Sequence, residues 1–194
     1  MSADTIGPVT QRDLILLPHP ASPQWPGVSL AAGVQRTGKG LRIRYSLYTP
    51  GQRLRLPAPV APGFADQLWQ HTCLEAFVAT PDAPPYREFN FSPSGQFAEY
   101  HFRDERVRAD ASPSPAEPRL QWSISDQGLE LLAEVALGGI PLTHDLLIGL
   151  TAVLEDRQGR VGHWALHHPK DRPDFHDRRG WTLRLPPFST NHPC

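Results

Sequence analysis

The 194-residue chain carries 19 Lys and Arg against 20 Asp and Glu, a formal net charge of −1, which removes the electrostatic case for nucleic acid or an anionic membrane surface as the main partner. Its length suits one large domain able to bury roughly 70% of its unfolded surface, and 39% hydrophobic with 9% aromatic residues marks a globular chain, not a disordered one. The 22 prolines are about twice the usual ~5%, and proline is excluded from helix interiors and central strands, so many connections between short elements are expected.

Cys73 and Cys194 are the two cysteines, with no CxxC or Cys/His zinc spacing. Cys73 sits in a largely apolar run and is expected to be buried and reduced. The segment 1–8 has neither a basic start nor a long apolar stretch, and no window approaches the ~20 apolar residues of a transmembrane helix, so a cytoplasmic location is the default expectation.

Residues 1–27 hold Pro8, Pro18, Pro20, Pro23 and Pro26 and read as an irregular arm, with residues 13–17 a short edge strand. The domain proper is expected over 28–186, with a tail at 187–194. Leu41, Ile43, Tyr45 and Leu47 alternate with Arg42, Arg44, Ser46 and Tyr48, the period of a half-buried strand. Residues 50–68, rich in Pro and Gly, form a loop long enough to be of functional interest. Three strands in a meander follow at 72–79, 86–91 and 96–103. Residues 120–125 and 129–137 flank the turn Asp126-Gln127-Gly128. Further strands are expected at 146–155, 163–166 and 181–185, and single helical turns at 103–108 and 141–145. About ten strands with turn signals between them predict an all-β, two-sheet antiparallel β-sandwich, jelly-roll or immunoglobulin-like, with very little helix.

Residues two apart on a strand share a face. Alternation sets Leu74, Ala76 and Val78 against Cys73, Glu75 and Phe77, and Phe89 and Phe91 against Tyr86, Glu88 and Asn90. With Ala98, Tyr100 and Phe102 taken as the apolar side of the third strand, Glu99 and His101 join Glu75, Glu88 and Asn90 on one polar face, and Arg42 and Arg44 are expected beside it. That face reads either as a binding surface roofed by Trp69, Tyr86 and Phe97, or as a solvated face laced by Glu–Arg pairs. A sugar suits the first reading, since carboxylates and amides pair with hydroxyls and flat rings cover the apolar sugar face. As paired acids, Glu75 and Glu88 also raise acid/base hydrolysis of a glycoside.

Four histidines and three aspartates fall within residues 163–177. They read as metal ligands or a proton relay, or as a structured loop in which histidines bond to aspartates and backbone. No GxSxG, P-loop, GxGxxG or HExxH pattern is present.

The runs Leu68-Trp69-Gln70-His71-Thr72-Cys73-Leu74-Glu75-Ala76-Phe77-Val78 and Tyr86-Arg87-Glu88-Phe89-Asn90-Phe91-Ser92-Pro93-Ser94-Gly95-Gln96-Phe97-Ala98-Glu99-Tyr100 resemble motifs of small bacterial DOMON-like proteins. His163-Trp164-Ala165-Leu166-His167-His168-Pro169 through Pro173-Asp174-Phe175-His176 resembles their C-terminal motif, and the resemblance spans about half the chain. It implies a β-sandwich related to family 9 carbohydrate-binding modules and to haem-binding cytochrome domains, whose members bind sugars or haem and rarely catalyse reactions alone. The expectation is therefore a non-catalytic, small-ligand module, with a carbohydrate the leading ligand. Its binding residues are expected among Trp69, Glu75, Tyr86, Glu88, Asn90, Glu99, Arg42, Arg44, His167 and His176. Haem is the runner-up cofactor; its relatives typically use a Met–His pair, and Met1 is the sole methionine, which leaves histidines such as His101, His163 and His167. A metal-dependent hydrolase on His167, His168, Asp174 and His176 is a third expectation.

Overall fold

The computed structural model describes residues 13–51, 53–110, 116–140 and 143–188. Among the described residues thirteen strands run in chain order: β1 (Leu14–Pro18), β2 (Ser29–Arg36), β3 (Gly40–Tyr48), β4 (Gly63–Phe64), β5 (Cys73–Ala79), β6 (Tyr86–Phe91), β7 (Gln96–Asp104), β8 (Val107–Arg108), β9 (Arg119–Ser125), β10 (Gly128–Ala136), β11 (Leu146–Glu155), β12 (Val161–Ala165) and β13 (Leu183–Leu185). Helix among the described residues is confined to the 3-10 turns Leu68–Gln70 and Arg178–Gly180. No helix among them is long and apolar enough to cross a membrane.

The strands form one strongly curled sheet in the order β4-β7-β6-β5-β11-β12-β1-β2-β3-β10-β9, with β13 added to β11 and β8 to β7. Neighbours run antiparallel except β4 and β7, which are parallel over two residues. The curl turns on β1. Its residues Leu14, Ile15 and Leu16 pair with β2, and Leu17 and Pro18 pair with β12. The expected edge strand at 13–17 is thus an interior one. Proline fits there because it stands at the strand's end, where an absent N–H breaks little of the ladder.

The curl brings two half-sheets around one apolar core. Leu30, Val34, Ile43, Tyr45, Leu129 and Leu131 come from one half, and Leu74, Ala76, Val78, Phe89, Phe91, Ile148 and Leu150 from the other. These are the positions that period 2 assigns to one face of each strand. Tyr45 crosses between the halves, its hydroxyl donating to the Glu75 carbonyl at 2.5 Å. Fully burying a tyrosine is stabilising only when its O–H finds such a partner.

Two further sequence expectations change. β2 carries Ala31, Ala32 and Gly33, small residues without a readable period, and was not marked as a strand. The expected helical turn at 103–108 is the hairpin between β7 and β8, with Arg106 in the left-handed region at φ 57°. Of the turn expected at 141–145, residues 141 and 142 lie outside the described residues. Cys73 is buried and free, and Cys194 lies outside them.

Candidate ligand cleft

The meander β5-β6-β7 and its neighbour β11 turn their second face away from the main core. Cross-strand partners point to the same side of a sheet, so the register alone assembles that face. Glu75 stands opposite Asn90 and Thr151, Phe77 opposite Glu88 and Gly149, and Tyr86 opposite Ala79 and Phe102. Phe77, Tyr86, Tyr100, Phe102 and Trp181 form a second apolar cluster there, with Trp69 and Phe175 packed against it.

Over this face opens a cleft of about 650 Å³ whose lining includes Trp69, Glu75, Phe77, Glu88, Phe102, Arg106, Arg108, His163, Asp174, Phe175 and His176. Its floor is acidic. Glu75 is 2% exposed and Glu88 5%. Asn90, fully buried, donates its amide to Glu88 Oε1 at 2.7 Å and accepts from the Cys73 thiol at 3.4 Å. Thr151 donates to Glu75 Oε2 at 3.3 Å, whereas Glu75 Oε1 is buried with no hydrogen-bond partner. Burial, reinforced by the Glu88 charge, pushes the Glu75 carboxyl well above the carboxylate range. Burial likewise raises Glu88 to about 7, with the Asn90 bond opposing. Both acids therefore hold protons far more readily than in water.

One wall is the connection after β12. Asp174 ties it to the β7–β8 hairpin by accepting from Arg106 at 2.6 Å, and to its own loop by accepting from Lys170 at 2.7 Å. Arg178 donates to the carbonyls of Thr80 and Ala83, and the Trp181 indole donates to Phe175. Asp177 caps the short turn Arg178–Gly180 by accepting from the Arg179 N–H. So anchored, the loop projects His176 into the cleft. Its Nδ1 lies 2.6 Å from Tyr86 Oη, and its Nε2 is 3.7 Å from Glu88 Oε2. Burial, aided by the positive Arg106, lowers the His176 pKa to about 4, so the ring is neutral at pH 7. Trp69 meets Tyr100 edge to face at 5.5 Å, and the Arg108 guanidinium lies over the Tyr100 ring at 4.2 Å.

Of the residues expected at the site, Trp69, Glu75, Glu88 and His176 line the cleft, and Tyr86 and Asn90 support it from beneath. The others stand elsewhere. Register sets Glu99 opposite Phe89, which faces the main core, so Glu99 and His101 occupy the reverse side of the sheet. There Glu99 is bonded by His101 at 2.7 Å and by Arg87 at 3.4 Å. Arg42 pairs with Glu134 at 2.8 Å and Arg44 with Asp13, both on the distant half-sheet. His167 is exposed.

Among the haem-ligand expectations only His163 reaches the cleft. For the hydrolase expectation, His168 is occupied by the Leu17 carbonyl and Asp174 by Arg106 and Lys170. Among the described residues no three His, Cys, Asp or Glu side chains gather as a metal-ligand group. Sequence reasoning missed Phe102, Arg106, Arg108 and Phe175; the run Phe102-Arg103-Asp104-Glu105-Arg106 carries a turn signal in Asp104, which was read as helical.

No family model matches the chain, and no curated protein matches it. Solved structures do. A family 9 carbohydrate-binding module from Caldicellulosiruptor kristjanssonii, in complex with glucose, superposes with a TM-score of 0.60 at 10% identity, covering 92% of this chain and 88% of that one. A family 9 module from the same organism in complex with cellotriose gives 0.56 at 12% identity over 80% and 72% of the two chains. A candidate carbohydrate-binding protein from Bacteroides uniformis gives 0.59 at 14% identity over 87% and 84%. The curled, nearly all-β fold is thus shared with these solved structures.

Proposed function

We propose that the protein is a non-catalytic carbohydrate-binding module whose sugar occupies the cleft over β5, β6 and β7. The observation that carries this reading is the cleft's composition: buried Glu75, Glu88 and Asn90 on the floor, under walls of Trp69, Phe102 and Phe175. Few polar groups fixed beneath apolar rings are what orient a small polyol with one apolar face. The volume of about 650 Å³ lies within the roughly 300–1,000 Å³ of small-ligand sites. Family 9 neighbours that hold glucose and cellotriose on the same fold support the choice of ligand class.

The three motifs of DOMON-like resemblance supply the floor and one wall of this cleft, which supports reading them as a ligand-site signature. The strand order likewise supports reading the curled sheet as a two-layer sandwich. Calorimetric titration with a panel of mono- and disaccharides tests the function. Saturable binding that is abolished in Glu88→Ala is the expected result, and no binding across the panel overturns it.

A further inference from the structure

Six carboxylate residues are buried among the described residues: Glu75, Glu88, Glu99, Glu155, Asp156 and Asp177. Four of them have an arginine at ion-pair distance. Arg87 is 3.4 Å from Glu99, Arg55 is 3.1 Å from Glu155, Arg160 is 2.7 Å from Asp156 and Arg179 is 2.6 Å from Asp177. Such pairing is the rule, because a carboxylate withdrawn from water needs a countercharge or a proton.

The two cleft acids break the rule. Neither Glu75 nor Glu88 has a lysine or arginine at that distance among the described residues; their contacts are Thr151, Asn90 and, at 3.7 Å, the neutral His176. The cleft's own arginines make their close contacts elsewhere, Arg106 on Asp174 at 2.6 Å and Arg108 over the Tyr100 ring at 4.2 Å, and act on Glu88 only from beyond ion-pair distance. Glu75 lines the cleft, is 2% exposed, and keeps Oε1 without any partner. The floor therefore offers acceptor oxygens and no positive charge.

We infer that the ligand brings that charge: the cleft takes an amino sugar, its protonated amine seated on Glu75 and Glu88 and its ring against Trp69 and Phe102. An ammonium has three donors and no acceptor, which matches a floor of acceptor oxygens. Burial favours the protonated form of both acids; an ammonium seated on them restores the carboxylate form, which a neutral hydroxyl does not. A bare metal ion fits less well, since no three side-chain donors of the usual kinds gather there among the described residues. This inference rests on the sugar-binding reading above and narrows its ligand.

The test is calorimetric titration of the full chain with glucosamine, glucose and N-acetylglucosamine, at a pH where the free amine is protonated. N-acetylglucosamine keeps a substituent at the same carbon without its charge. Glucosamine is expected to bind at least about tenfold more tightly than either neutral sugar, the worth of a charge-assisted hydrogen bond. In Glu88→Gln that ratio is expected to fall to within about twofold. Glucose binding as tightly as glucosamine overturns the inference and leaves the sugar reading standing. No binding of any of the three overturns both. A ratio unchanged in both Glu88→Gln and Glu75→Gln places the amine elsewhere and also overturns it.

Discussion

Tyr86 Oη and His176 Nδ1 lie 2.6 Å apart, a hydrogen bond that joins the floor of the cleft to its wall. The Tyr86 oxygen also accepts the Arg106 N–H at 3.0 Å, which polarises its O–H and favours donation of that proton to His176 Nδ1. The imidazole proton is then left on Nε2, on the side of Glu88. Two elements far apart in sequence thus favour one tautomer. Tyr86→Phe removes the donor and also strands the Arg106 N–H. A stability loss of about 1–2 kcal/mol is expected, read by urea unfolding, with a shift of the His176 ring-nitrogen NMR signals toward mixed tautomers.

Two opposed shifts in the cleft contribute to the pH dependence of stability. His176 is held near 4, below its ordinary 6.5, so its stabilising effect is full above pH 6.5 and is lost as pH falls toward 4. Glu88 is raised from 4.5 to about 7, so its contribution is full below pH 4.5 and is lost as pH rises through 7. Between those limits the two slopes oppose each other, each at most about 1.4 kcal/mol per pH unit. Glu88→Gln removes the falling one. The melting temperature of that variant is expected to rise from pH 4.5 to 6.5 more steeply than the wild type's. Parallel profiles contradict this account.

Gly149 lies directly under Trp181. A Cβ there stands 2.3 Å from Trp181 Cδ1 and 2.8 Å from Cγ and Nε1, so the indole has to leave its place against Phe77, now 5.4 Å away and stacked. Gly149→Ala is expected to cost about 1–3 kcal/mol in chemical denaturation. Because Trp181 also holds the Phe175 carbonyl, ligand affinity is expected to weaken with it.

The half-buried pairs on the distant half-sheet are the contrasting case. Arg42→Ala and Arg44→Ala are expected to leave sugar binding within about twofold and to change stability by less than about 1 kcal/mol, the range of surface ion pairs. Trp69→Ala is expected to weaken binding about tenfold or more through the loss of a ring wall. Titrations of the three variants side by side check both statements.

Much of this was legible in the sequence where neighbouring signals agree. β6 and β11 fall on their expected bounds, β6 because aromatic alternation ends at the turn Ser92-Pro93-Ser94-Gly95, and β11 because Asp156 starts a tight turn. Glu75, Glu88 and Asn90 share the expected face. β7 failed on parity: Phe97 on one face balances Tyr100 and Phe102 on the other, so only pairing with β6 decides which side is the core. That one-residue ambiguity misplaced Glu99 and His101. Arg42 and Arg44 were misplaced for another reason, since no local pattern tells which half-sheet a strand joins. Arg106 and Arg108 were hidden by a hairpin built on a single left-handed residue.

The splice made by β1 bears on how the molecule comes into being. Leu16 meets Leu30 across a short loop, but Pro18 must meet Trp164. During synthesis β1 waits, paired along one flank only, until β12 has emerged. Contacts so remote in sequence close slowly, and an unpaired edge invites association with other chains while it waits. The closure of the curl, and with it the wall carrying His163 and His176, therefore depends on the pairing of β1 most remote in sequence.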